Sequence, residues 1–476
     1  MQKTRLVQFL QSLNQSEIKS FRDFLNSPSF NKNKQIVNLF ELVIIYHPTF
    51  VNNELNEENL FSKLFIDQKY DYFKMKNLSS DLLALGKEFF AYLNFKKSKD
   101  SNDIYVLKES KARNLDMIFE NTYKQADKRS LSTTFKDENY LYHRMNLINE
   151  LIGFNAPKNP SINLHLMQDK LDLFVDYSII MLLKFYNIML HDEVQFNHKY
   201  DLKMFDFVMD YVKNNLKQDN PTMLVYYHII QLEHVKSDEN FFRLNELRKK
   251  YKEELSAVDN YMAFLHLDSY CANAYNEFSR TDLMYEQFLL TKECDMNLFP
   301  ELGKILYPDF LYSVKIAARV DEFDFALKYI EKYKHNLTEE KKNTLDFCLA
   351  YIAYRQGRHD EALELLSRTT FTNFIMKIQV RLLLLQLTYE KQYFDQALTM
   401  IDSFRHYVSR ENLLLEKLKT TLLRFLTITG DMIKHNTGVD KNVKDAVHKI
   451  RFNIENLETN HFGIKLWLEE RAAELK

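Results

Sequence analysis

The residues able to do chemistry are few and scattered. Cys271, Cys294 and Cys348 form an odd, widely spaced set without a CxxC pair, which argues against a disulfide framework or a zinc module. Cys348 lies between Phe347 and Leu349 inside an apolar helical pattern, the setting of a buried, inert thiol. His228 and His234 are six apart and so fall on different faces of a helix, and no HExxH occurs. Phosphate loops need closely spaced glycines, and none of Gly86, Gly153, Gly303, Gly357, Gly430, Gly438 and Gly463 has such a neighbour. No GxSxG elbow is present. The expectation is a chain without catalytic residues, cofactor or metal.

Composition indicates which elements position the side chains. In 476 residues there are 7 Gly and 7 Pro, too few for the turns of an all-β or α/β protein of this length. Aromatic residues make up 14%, supplying bulk for helix packing at a mean hydropathy of -0.40. The net charge of -2 gives no global field for nucleic acid or an anionic membrane. The N-terminus lacks a signal-type apolar core, and no uninterrupted apolar run approaches about 18 residues. A cytoplasmic protein with no membrane partner is expected.

One pattern recurs between Val320 and Ile401. Asp324-Phe325-Ala326-Leu327, Asp360-Glu361-Ala362-Leu363 and Asp395-Gln396-Ala397-Leu398 share a template whose alanines stand roughly 35 residues apart. That interval fits two helices of about fifteen residues with short turns, the alanine letting them approach closely. The first helices are expected over 302–318, 339–356 and 373–390, with Thr338 as an N-cap and Glu339 and Glu340 at the positive end of the middle one. The second begin near Glu322, His359 and Phe394. Terminal helices follow over 411–428, 442–457 and 462–475, with Trp467 closing the core.

Residues 1–97 are expected as a helical N-terminal domain. Asn14 caps a helix with Glu17 reaching back to it, and Pro28 ends that helix. Helices over 56–65 and 72–95 could form a helix-turn-helix unit, with Tyr72, Lys74, Lys76, Asn77 and Ser80 facing nucleic acid. A connection of about six residues and the acids Asp71 and Asp81 weigh against it. A boundary is placed at Lys96–Asp100. Residues 101–299 carry irregular helical pairs, with Pro221 in the first turn of one.

The segment Tyr354-Arg355-Gln356-Gly357-Arg358-His359-Asp360-Glu361-Ala362-Leu363 resembles the centre of a tetratricopeptide repeat, with Asp321 and Gln392 standing where the other two repeats would have the turn glycine. The whole chain is similar to an uncharacterised group of tetratricopeptide-like proteins of Bacteroidetes-type bacteria, through 25–32 (LNSPSFNK) and 402–405 (DSFR). The resemblance implies an all-α, helical-hairpin solenoid, with diverged repeats over 101–299 and tetratricopeptide-like repeats with a C-terminal helical cap over 300–476. It also implies a concave groove lined by Lys315 and Arg319, by Phe347, Tyr351, Tyr354 and Arg355, and by Gln386, Tyr389 and Glu390. Tyr and Arg there suit a protein or peptide partner. The expected function is thus a non-enzymatic binding scaffold, and the alternative is a nucleic-acid-binding regulator using residues 1–97.

Overall fold

A computed structural model describes residues 4–196, 199–215, 220–293, 305–337, 340–411, 414–438 and 443–475. They are all-α: among them the only β-type pairing is an isolated bridge, Ile305 to Leu337. Cys294, Gly303, Thr338 and Glu339 lie outside the described residues. The chain divides into two compact units, Met1–Ser132 with Tyr142–Leu171, and Thr133–Leu141 with Asp172–Lys476. The boundary expected at Lys96–Asp100 lies within the first of these units. There Ser98 caps the next helix, and Asn102 Nδ2 donates to Phe95 O at 2.9 Å, holding the segment inside the first unit.

The first unit contains α1 (Arg5–Ser12), α2 (Gln15–Asn26), α3 (Lys34–Ile44), α4 (Glu57–Leu64), α5 (Tyr72–Lys97), α6 (Lys99–Ala112) and α7 (Asp116–Leu131), with most of α8 (Glu138–Asn155). Asn14 and Glu17 form the expected reciprocal cap of α2. Phe21 is fully buried, meeting Phe9, Phe40 and Phe89 ring to ring at 4.9–5.3 Å.

The long helix α9 (Asn163–Phe196) runs through both units. By length and composition its Asn163–Glu193 stretch, at hydropathy 1.6, could cross a membrane, a property masked in sequence by interspersed charges such as Asp172 and Lys184. Its Ile179, Ile180, Leu183 and Tyr186 belong to the core of the second unit.

In the second unit α10 (Phe205–Asn214), α11 (Pro221–His234), α12 (Asp238–Lys250), α13 (Ala257–Phe278) and α14 (Met284–Glu293) precede the recurring segment. Pro221 occupies the first turn of α11, where its missing N–H costs nothing. Then come α15 (Tyr307–Arg319), α16 (Phe323–Tyr333), α17 (Lys341–Arg355), α18 (His359–Ser367), α19 (Phe374–Glu390) and α20 (Phe394–Arg410). Each helix packs on the next, and α15, α17 and α19 also pack on one another. Three further helices, α21 (Glu416–Asn436), α22 (Val443–Glu455) and α23 (Ile464–Ala473), end the chain.

The three turns inside these hairpins are congruent. Asp321, Gly357 and Gln392 all take left-handed φ, at 60°, 74° and 59°. The following N–H groups of Glu322, Arg358 and Tyr393 return to Ala317, Ala353 and Thr388 carbonyls at 3.0, 2.9 and 3.0 Å. This is the Schellman closure of a helix C-terminus. Ala326, Ala362 and Ala397 follow five residues later, each at 0% exposure, where a larger side chain would push the paired helices apart.

Only one of the three turns has the residue that suits left-handed backbone. Gly357→Ala should therefore destabilise by about 1 kcal/mol, while Gln392→Gly should stabilise by about 0.5 kcal/mol. Urea unfolding of both variants checks the opposite signs. Equal losses would mean that the turns are not equivalent.

Candidate partner-binding face

Of the nine residues assigned to a groove, Arg319, Tyr354, Arg355 and Glu390 stand at or near the C-terminal ends of α15, α17 and α19, but the nine do not form a free surface. Phe347 is 1% exposed and packs in the core with its ring 6.3 Å from Phe371, so its assignment to a groove is corrected. Tyr389 is buried too, its hydroxyl accepting from Asn436 Nδ2 at 2.9 Å. Gln386 is likewise buried. Helix α19 is apolar over most of its surface, and most of it is accordingly buried.

The cationic members are engaged as well. Lys315 is buried, donates to Gln379 Oε1 at 2.6 Å and lies 5.2 Å from the centre of the Tyr351 ring. Burial, and then the neighbouring Arg319 charge, hold its amine well below the usual lysine range. Arg319 stacks 4.5 Å over the Tyr275 ring of α13. Arg355 reaches back one hairpin, donating to Arg319 O and Asp321 Oδ1 at 3.3 Å each.

Glu390 is the focus of this face. Its side chain is only 10% exposed, and its Oε1 accepts from Tyr354 Oη at 2.9 Å and from Trp467 Nε1 at 2.7 Å. His359 Nε2 lies 3.5 Å from the other oxygen, and Arg471 lies 4.0 Å from the first. Burial and the Glu390 charge push the Tyr354 hydroxyl well above its ordinary value. Trp467, the single tryptophan of the chain, is 5% exposed and meets Tyr389 and Phe425 edge-on at 5.3 and 5.8 Å.

Trp467 and Arg471 belong to α23, so the C-terminal segment itself occupies the face. Its other end is tied to α13. Asn460, fully buried, donates from its backbone N to Asn276 O at 2.5 Å and from Nδ2 to Tyr275 O at 3.2 Å. Its Oδ1 accepts from Lys465 and Leu466 N–H at 3.0 and 3.1 Å, capping the start of α23. Gly463, at φ 83°, sits so close to Tyr275 that a Cβ there would lie 2.5 Å from the hydroxyl. Lys417 adds an ion pair to Glu277 of α13 at 2.6 Å. The arrangement is a helix held by an indole, a guanidinium and a backbone clamp. Sequence reading placed Trp467 at the end of the core, but the clamp through Asn460 and Gly463 spans 185 residues and leaves no local pattern.

Beside this face a second polar cluster joins three helices. Gln287 Nε2 on α14 donates to Asp268 Oδ1 of α13 at 3.1 Å and to Tyr312 Oη of α15 at 2.6 Å. Burial pushes the Asp268 carboxyl up to about 7, against bonds from Gln287 and Tyr312 that favour its charged form. A folded value above the ordinary 3.8 of an aspartate means that the protonated form's contribution is complete below about pH 4 and lost as pH rises through about 7. Asp268→Asn should gain on wild type by roughly 4 kcal/mol between pH 4 and pH 8. Urea unfolding at the two pH values measures this, and a gap that does not change with pH would contradict it.

Elsewhere, Cys271 and Cys348 are buried and free, with burial raising both thiols out of the reactive range. Burial lowers His228 to about 4. Asp137, Glu138 and Asp259 lie close enough to share a cation, a set that sequence spacing could not reveal. The ammonium of Lys184 already stands 2.6 Å from Glu138 and 2.7 Å from Asp259. In the first unit, Tyr72, Lys74, Lys76, Asn77 and Ser80 share the exposed side of α5. Lys74 is held 3.8 Å over the Phe65 ring and donates to Gln68 at 2.8 Å, which draws its charge onto the connecting loop.

No protein-family model matches the chain, and neither a curated protein nor a solved structure shows significant similarity to it.

Proposed function

We propose that the second unit is a tetratricopeptide-like stack of helical hairpins, and that the protein is a non-enzymatic cytosolic scaffold that binds a helical segment of a protein partner on its concave side. One observation carries the reading: the ends of α17 and α19 hold a helix already, through Tyr354 and Glu390 with Trp467 and Arg471 of α23. A face that seats an amphipathic helix of its own chain has the chemistry to seat another with an indole or guanidinium at the same positions. The partner would compete with α23, and the resident helix would set its affinity threshold.

The lone tryptophan makes the exchange measurable. A partner identified by affinity capture, when titrated into the protein, should shift Trp467 emission to longer wavelength as the indole leaves its seat, and cross-links should fall on α17 and α19. A captured partner whose cross-links map elsewhere, with Trp467 emission unchanged, would overturn the reading. The nucleic-acid alternative gains no comparable support from α4 and α5, whose Phe65–Asp71 connection is longer than the turn of a helix-turn-helix and whose Lys74 is engaged locally.

A further inference from the structure

A cavity of about 370 Å³ opens between the loop after α18 and the helices α19 and α20. It is distinct from the α23 seat: neither Glu390 nor Trp467 is among its lining residues. Its floor is apolar, made by Phe371, Val380, Leu384, Met400 and Phe404. Phe371, Val380 and Phe404 are themselves buried, so the floor is part of the packed core and is preformed. At this volume the cavity falls within the range of small-molecule sites.

The charged groups at its rim are both cations. Lys377 and Arg381 are one turn apart on α19, so both extend from the same side of that helix, and no carboxylate lines the cavity. Nearby cations are paired, Arg368 with Glu364, Lys391 with Asp360 and Arg405 with Asp402. Among the described residues Lys377 and Arg381 make no ion pair. Arg381 instead lies 4.8 Å over the Tyr407 ring, which fixes its plane while leaving its N–H edge without an anion. Two of the three hydroxyls at the site are committed as donors, Thr369 Oγ1 to Leu365 O at 2.9 Å and Ser403 Oγ to Met400 O at 3.0 Å, and the third belongs to Thr370. The charged donors left for a ligand are therefore the two cations.

We propose that this cavity binds a small amphipathic monocarboxylate, its apolar body on the Phe371–Phe404 floor and its carboxylate between Lys377 and Arg381. Charge complementarity selects an anion, since two cations on one side of a helix repel each other until one is bound. The apolar floor selects the rest of the molecule. A dicarboxylate, polar at both ends, would bury charge against Val380, Leu384 and Phe404 without a partner.

The test is calorimetry on the full chain with octanoate, beside 1-octanol as the uncharged counterpart. Octanoate should bind saturably at one site per chain, and octanol about tenfold or more weakly. Lys377→Gln and Arg381→Gln should each weaken octanoate by about tenfold and leave octanol unchanged. Because Arg381 also packs on Tyr407, the exposed Lys377 supplies the variant that leaves the fold alone. No saturable octanoate binding, equal affinities for octanoate and octanol, or octanoate affinity unchanged in Lys377→Gln would each overturn the proposal.

Discussion

Replacing Trp467 with alanine removes the anchor of α23, and the expected cost to the docking of that helix is about 3–5 kcal/mol, the usual loss for a buried aromatic side chain. The indole fills the space between Tyr389 and Phe425 and donates its only N–H to Glu390, so the variant loses packing and leaves a shielded carboxylate short of one donor. The loss should be local. Hydrogen exchange should show the α23 amides losing protection while those of α15 and α17 keep theirs, because the core under α15–α18 does not include α23. Uniform loss of protection across the second unit would mean that α23 is an integral layer of the core, and the proposed exchange with a partner would have no basis.

Phe347→Ala should behave in the opposite way. The residue is fully enclosed between α17 and the Phe371 loop, and its removal should cost about 3–5 kcal/mol of global stability, read as an earlier urea midpoint for the whole second unit. Partner affinity, measured where the variant remains folded, should be unchanged. A well-folded Phe347→Ala protein with weakened partner binding would restore this residue to the groove assigned to it from sequence.

The contrast between these two residues shows what local pattern encodes. The hairpins were legible because their turns repeat a local chemistry: a left-handed position, a returning N–H and an alanine five residues on. The structure gives Asp321 and Gln392 the same backbone as Gly357. The preceding hairpin of α13 and α14 also turns through a left-handed residue, Ser279, but its returning bond runs from Arg280 N to Ala274 O, one residue longer, so it does not share the template. Helix α6 carries little signal for a different reason: Leu107 is its only fully buried large apolar side chain, too little for a periodic pattern.

The orientation of side chains on α17 and α19 was less legible. Both helices bury residues on most of their circumference, so no polar stripe tells which side faces a partner. Of the groove residues, Tyr354, Arg355 and Glu390 do lie together, but they serve contacts made by the chain itself. The bonds from Trp467 to Glu390 and from Asn460 to Tyr275 join residues 77 and 185 apart, and no spacing rule reaches that far.

The central claim is that the α15–α17–α19 face is a helix-binding surface with α23 as its resident. Its most direct test is a titration of the full-length Trp467→Ala protein with a synthetic peptide copying residues 460–475, whose indole is then the only one in solution. The account predicts a saturable shift of tryptophan emission to shorter wavelength at one peptide per chain, weakened about tenfold when Glu390→Gln is added to the protein. An emission maximum that stays at its free-peptide position while circular dichroism shows the protein folded would contradict it.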